Sequence, residues 1–358
     1  MPNRLTAVTR NLSREFSEEE EDALVALTLP NKQERKQSLA EMVQVNAAKE
    51  MEWITHTQSL RMPFIPQLND HVYYVPRAHE KYCEDIERRL DYRLRINEKV
   101  PKEIRRLQLL DELVLCQVQS IEVDQLKTAK YREHPIRCLI IVLNVVGGEK
   151  DLSTLAIRYA PLKDCEEFLV YQQLYQDSVK SEFKVGSRCS ALFENGEDQM
   201  EWFDGVITGK AEAEYEHQQY QVKWDSDGEV SSHSAWELMS PGSHDIRLSH
   251  YESLEQDNLE RISRLLAEVI ESENYHAFNN DVEKEFHDEY WREIAYPSCL
   301  NQIKLRIDRS YYRSLDALLW EVGLLHSNCA KFNGSDDDTS NGLFSLSQQL
   351  VLGTLCEA

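Results

Sequence analysis

The residues of this chain best placed to do chemistry are a carboxamide and the aromatics around it. Asn328-Cys329-Ala330-Lys331-Phe332-Asn333 runs into the turn Gly334-Ser335-Asp336. A side-chain amide donates and accepts at once. At the end of a packed helix it suits a neutral amide ligand such as an acetylated lysine. The same residue can equally serve as a helix C-cap, a place that Asn and Gly often take. Nucleophilic and nucleotide chemistry lack their motifs. His326 and Cys329 stand three apart with no third group to orient a base. Gly147-Gly148-Glu149-Lys150 lacks the glycine spacing and hydroxyl of a phosphate loop. No catalytic residue, cofactor or metal site is expected.

The element that must position Asn333 is a helix. Leu315, Leu318, Leu319, Val322, Leu325 and Cys329 recur at spacings of three and four and put one face in a core. Ser314 is its expected N-cap, with Asp316 in the first turn. A short helix near 300–308 precedes it. Ile262, Leu265, Leu266, Val269 and Ile270 stripe another, and Leu343, Leu346 and Leu350 mark a last one. Between the first two lies an irregular stretch, about 274–298, with Tyr275, Phe278, Phe286, Tyr290, Trp291 and Tyr296. A loop that long in a compact domain is usually functional. Residues 251–356 therefore read as a four-helix bundle with one long loop.

Upstream the pattern is β-rich. Strands are expected at 70–75, 113–118, 137–143 and 154–159, with a helical insertion over 77–110 and a helix over 161–178. This makes a first unit over 63–180. A second unit, 185–239, holds strands at 187–193, 201–208, 220–224 and 230–238, separated by Asn195-Gly196 and Asp225-Ser226-Asp227-Gly228. Four short strands in so few residues suggest a small bent sheet or barrel. Ser240-Pro241-Gly242-Ser243 opens a linker over 240–250. Residues 1–60, with the acidic run Glu18–Asp22, look peripheral, helical or disordered.

The chain has 358 residues and a formal net charge of −23. That length fits two or three domains. The acidity disfavours general binding to DNA phosphate and favours basic peptides. Eight cysteines include no CxxC pair, which fits a reducing compartment. No apolar run approaches the ~18 residues of a membrane helix, and no signal peptide opens the chain. A nuclear or cytoplasmic place and no membrane partner are expected.

Four helices, a long aromatic loop and Asn-x-x-x-Phe-Asn together resemble a bromodomain over about 250–356. From about Trp53 onward the chain is similar to more: the part after the propeller in the bromodomain and WD-repeat-containing (PHIP/BRWD) family. Glu52-Trp53-Ile54-Thr55, Pro63-Phe64-Ile65-Pro66-Gln67, Val72-Tyr73-Tyr74, Trp202-Phe203-Asp204-Gly205, Trp224-Asp225 and Ala295-Tyr296-Pro297 carry that likeness. The resemblance implies an α+β multidomain fold, with two Tudor-like β-barrel units followed by an all-α bromodomain. The family's WD-repeat propeller is not expected in this chain. It also implies a nuclear, non-catalytic chromatin reader, part of a larger chromatin complex. Acetylated histone tails would enter the bromodomain, and methyl-lysine, notably lysine 4 of histone H3, the Tudor-like part. By position, Asn333 is the acetyl anchor and Tyr290, seven residues before Pro297, the tyrosine that reaches the acetyl oxygen through water. Phe278 is the shelf aromatic, Val282 a pocket wall and Thr339 near the gatekeeper. The usual shelf Trp-Pro is His276-Ala277 here, and the usual Pro-Met-Asp is Pro297-Ser298-Cys299. In the second β unit Phe193, Phe203, Trp224 and Asp227 match positions of a methyl-lysine cage, although ordinary core packing would also place them on strands. An alternative keeps the fold as an interaction scaffold whose acetyl-lysine pocket has decayed.

Overall fold

The structure is a computed structural model of the chain. It describes residues 52–334 apart from 91, 127–134, 148–151, 163–164, 182, 195–199, 212–216, 243–246, 249–255 and 283–286. The acidic run Glu18–Asp22, Thr339 and the last expected helix lie outside the described residues. The strands are β1 (His71–Tyr74), β2 (Val114–Leu126), β3 (Ile136–Val145), β4 (Thr154–Tyr159), β5 (Leu169–Tyr171), β6 (Arg188–Glu194), β7 (Met200–Lys210), β8 (Tyr220–Trp224) and β9 (Val230–His233). The helices are α1 (Pro76–Arg89), α2 (Lys102–Arg106), α3 (Gln172–Lys180), α4 (Gln256–Glu271), α5 (His287–Glu293), α6 (Leu300–Asp308) and α7 (Leu315–Asn333).

Strand identity follows the period-two rule. In β8, Tyr220, Val222 and Trp224 are buried while Gln221 and Lys223 face out. In β4, Leu155, Ile157 and Tyr159 are buried on alternate positions. The strands form two sheets, in the orders β4-β3-β2-β1-β5 and β6-β7-β8-β9. Two closed Tudor-like barrels were expected. Among the described residues neither sheet closes, because no pairing joins its two end strands. The last expected strand stops at His233, since Ser234 and Glu237 form a capping box around the short turn Ala235–Glu237. The expected helix over 77–110 is broken between α1 and α2, and Pro101 stands just before the second piece. Leu169–Tyr171, expected to be helical, pairs as β5 with β1, Val72 opposite Tyr171.

The chain clusters into two units. One comprises Val72–Cys116 and Leu162–Asp245; the other comprises described stretches of Lys49–His71, Gln117–Pro161 and Ile246–Ala358. These are not the stretches expected, because pieces distant in sequence share a core.

In the first unit, β6–β9 meander around a core of Cys189, Ala191, Ile207, Tyr220, Val222 and Trp224. Gly205 lets β8 come close: a Cβ there would stand 2.7 Å from Val222 Cγ1 and 2.8 Å from the Lys223 carbonyl oxygen. His79 on α1 is fully buried, stacked on Phe168 at 4.1 Å, with Nδ1 2.8 Å from the Tyr74 hydroxyl.

In the second unit, α4, α6 and α7 share a core of Ile262, Leu266, Ile303, Ile307, Leu318, Val322, Leu325 and Cys329. Residues 52–60 were expected to be peripheral. Instead Trp53 and Ile54 are 2% and 0% exposed, and the segment through Asp70 straps the bundle. Two buried guanidiniums hold it. Arg306 donates to the carbonyls of Ile54 (2.5 Å) and His56 (2.8 Å) and pairs with Glu321 at 2.5 Å. Arg313 donates to both Asp70 oxygens (2.8 and 2.6 Å), to the Ile65 carbonyl (2.8 Å) and to Ser59 Oγ. Gln67 bridges the Tyr311 carbonyl and the Arg313 amide, both at 2.8 Å. Buried charges persist only when paired and hydrogen-bonded, so these two arginines make the strap part of the bundle.

Candidate functional site

The site is built at the C-terminal end of α7. That helix starts as its residues dictate: Ser314 Oγ accepts from the Ala317 amide at 3.1 Å, and Asp316 stands in the first turn. Leu318, Val322, Leu325 and Cys329 bury its apolar face, while Leu315 and Leu319 are partly buried. It ends at Gly334, whose φ of 99° is open to glycine and whose amide donates to the Ala330 carbonyl at 3.0 Å. Gly334 is therefore the cap. Asn333 is the last helical residue, exposed at the mouth, with Nδ2 3.5 Å from Cys329 Sγ one turn back.

Facing that end is α5. Tyr290 is 9% exposed, with its ring edge-on to Phe332 at 5.1 Å. Burial pushes its hydroxyl well above the ordinary phenol range, a tendency that Asp281 and Cys329 reinforce and a hydrogen bond with Asn328 opposes. The phenol therefore stays protonated at neutral pH and keeps a proton to donate. Asn328, 8% exposed, also donates Nδ2 to the Tyr296 carbonyl at 2.9 Å. Cys329 and Cys299 lie in the same neighbourhood. Phe332, Asn328 and Cys329 thus link Tyr290 to the helix that carries Asn333. Asn328 opens the motif read from the sequence but had no role assigned to it there, although a polar side chain beside Cys329 on a buried stripe is a visible signal.

Phe278 ends the short turn Glu273–Phe278 and packs, half-buried, against the bundle core. Val282 is half-buried, its amide held by Asp281 Oδ1 at 2.9 Å. Both flank the loop that leads into α5.

The cage candidates of the first unit also come together, but as packing. Phe193 stands edge-on to Trp224 at 5.1 Å and 5.9 Å from Phe203. Trp224 is 1% exposed, and its Nε1 donates to Ser231 Oγ at 2.7 Å. Asp227 Oδ1 accepts from the Glu229 amide at 2.9 Å and so serves its own turn. In this arrangement Trp224 offers no open face to a methylammonium.

Comparison with known proteins decides the family. A model of the BRWD/PHIP ancillary domain-like domain matches residues 62–246, more than half of the chain. The chain belongs to the BRWD/PHIP-like family. A bromodomain model matches residues 262–341 of this BRWD/PHIP-like chain, which takes in α5, α6, α7 and the Tyr290–Asn333 mouth. A bromodomain and WD repeat-containing protein of Dictyostelium discoideum is 26% identical over 89 residues, 25% of this chain. The matched stretch spans 4% of that relative's length.

Proposed function

We propose that this chain reads acetylated lysine on histone tails, with Asn333 anchoring the acetyl amide and Tyr290 holding the water that meets the acetyl oxygen. The observation that carries the reading is the pairing of an exposed carboxamide at the end of α7 with a buried, protonated Tyr290 tied to the same helix through Asn328. The bromodomain match over these residues supports it. The net charge of −23 suits a basic peptide, and a nuclear, chromatin-associated setting within a larger complex follows from such a ligand. Phe278 and Val282 would line the entry.

Methyl-lysine recognition by the β-rich part needs an aromatic face turned to the cation. With Trp224 buried, only half-buried Phe193 and Phe203 are placed for it, and two such rings do not make a cage. The test is a titration of the whole chain with acetylated and unmodified histone peptides, repeated with Asn333→Ala. Acetyl-dependent binding that the substitution removes is the expected result. Equal binding of both peptides by the unaltered chain would instead favour a scaffold with a decayed pocket.

A further inference from the structure

The helix that carries Tyr290 cannot hold itself in place. α5 has seven residues, and isolated helices that short are marginal in water. Its last carbonyls have no partners within the helix. Two of them, and the carbonyl of the next residue, Ile294, are taken by side chains from elsewhere. Gln125 Nε2, at the end of β2, donates to the Arg292 carbonyl at 3.1 Å. Lys331 Nζ, on α7, donates to the Glu293 carbonyl at 2.8 Å. Arg137 Nη2, at the start of β3, donates to the Ile294 carbonyl at 3.2 Å. The Ile294 amide in turn donates to the Tyr290 carbonyl at 2.8 Å, so the grip reaches the tyrosine's own backbone.

Arg137 is built into this place. It is 1% exposed, its Nη1 donates to the Pro135 carbonyl at 2.7 Å, and its guanidinium lies 6.0 Å from the Trp291 ring centre. Burial lowers its pKa to about 10, which leaves it charged at neutral pH. A cation at a helix C-terminus is favourably placed against the helix dipole. Two of the three contacts thus come from β2 and β3, 167 and 157 residues earlier in the chain.

We propose that Gln125 and Arg137 are positioning residues for acetyl-lysine binding: by holding the Arg292 and Ile294 carbonyls, at and just past the C-terminal end of α5, they set where the Tyr290 hydroxyl stands. The proposal rests on the acetyl-lysine reading above. It makes the strands upstream of the bundle a determinant of its ligand affinity, although neither residue touches the ligand.

The test is a double-mutant cycle on the whole chain, titrated with a histone H4 tail peptide carrying one acetyl-lysine and with the same peptide unmodified. Gln125→Ala should weaken acetyl-peptide binding roughly three- to tenfold, a typical size for coupled neighbours. In a Tyr290→Phe background the same substitution should cost nothing further, because the hydroxyl it positions is gone. Arg137→Met should behave alike, and Arg137→Lys should recover part of the loss. Should Arg137→Met fail to fold, the Gln125→Ala cycle still decides. Unchanged affinity in Gln125→Ala, or the same loss in both backgrounds, overturns the positioning role while acetyl-lysine reading stands. A parent chain that does not distinguish the two peptides overturns both.

Discussion

At the residue scale, two side chains illustrate what burial does to chemistry. Asn333 keeps its amide at the mouth because Gly334 does the capping. An acetyl oxygen brought there and left without the Asn333 donor would lose about 1–3 kcal/mol, roughly a five- to 150-fold loss in affinity. Asn333→Ala should show that loss by calorimetric titration, with little change in melting temperature, since the buried stripe of α7 is untouched. His79 shows the converse. Burial with no compensating charge lowers its pKa from 6.5 to about 3. The unfolded chain therefore binds a proton near pH 6.5 that the folded chain refuses. This contribution to stability is complete above about 6.5 and falls by about 1.4 kcal/mol per pH unit between 6.5 and about 3. His79→Phe should flatten that part of the pH–stability curve, measured by urea unfolding at stepped pH. A curve that kept its full slope in the variant would place the acid sensitivity elsewhere.

At the element scale, backbone approach matters as much as side-chain chemistry. β7 and β8 pair with Gly205 opposite Trp224, and the register shifts between Ile207 and Gly209. A methyl at Gly205 would meet Val222 Cγ1 and the Lys223 carbonyl well inside contact distance. Gly205→Ala should therefore destabilise the first unit by about 1–3 kcal/mol, the usual cost of overpacking. Chemical denaturation followed by tryptophan fluorescence reads this, and an unchanged midpoint would mean that β8 yields without cost. The stop of α7 follows the same logic at its other end, where a positive φ at Gly334 ends the helix one residue past Asn333. Where Asn333 stands depends on where the helix stops, and here a glycine decides it.

At the scale of the second unit, the helices around α7 are not self-sufficient. Arg306 and Arg313 are 0% and 7% exposed, and most of their acceptors come from residues 54–70. Removing one partner from a buried ion pair costs about 3–5 kcal/mol, because the remaining charge stays buried and unpaired. A fragment starting at residue 246 would leave Arg313 without Asp70 and would strip Arg306, still paired with Glu321, of the Ile54 and His56 carbonyls. It should melt well below the whole chain, or fail to melt cooperatively, by circular dichroism. Asp70→Ala in the whole chain should lose stability on the scale of one broken pair. A fragment as stable as the whole chain would show that the strap is dispensable.

Local spacing alone determined much of this protein. The stripe from Leu315 to Cys329, the Ser314 cap, the alternation of β4 and β8, and the glycine that ends α7 are all written within a few residues of where they act. Elements form from such short-range preferences, so α6, α7, β3 and β4 fall close to their expected bounds. The placing of Asn333 at a helix mouth follows from the same local signals. What the tertiary structure alone decided concerns partners far apart in the chain. Nothing near Arg306 says that two of its acceptors lie 252 and 250 residues earlier, or that Gln125 and Arg137 hold the end of the helix of Tyr290. Trp224 reads equally well as a cage wall or as core until the packing of β8 and β9 buries it. Open sheets in place of barrels are likewise a matter of which end strands meet. Periodicity tells which face of an element is apolar, but only packing selects the surface that covers it, and a buried charge is satisfied by whatever that surface brings.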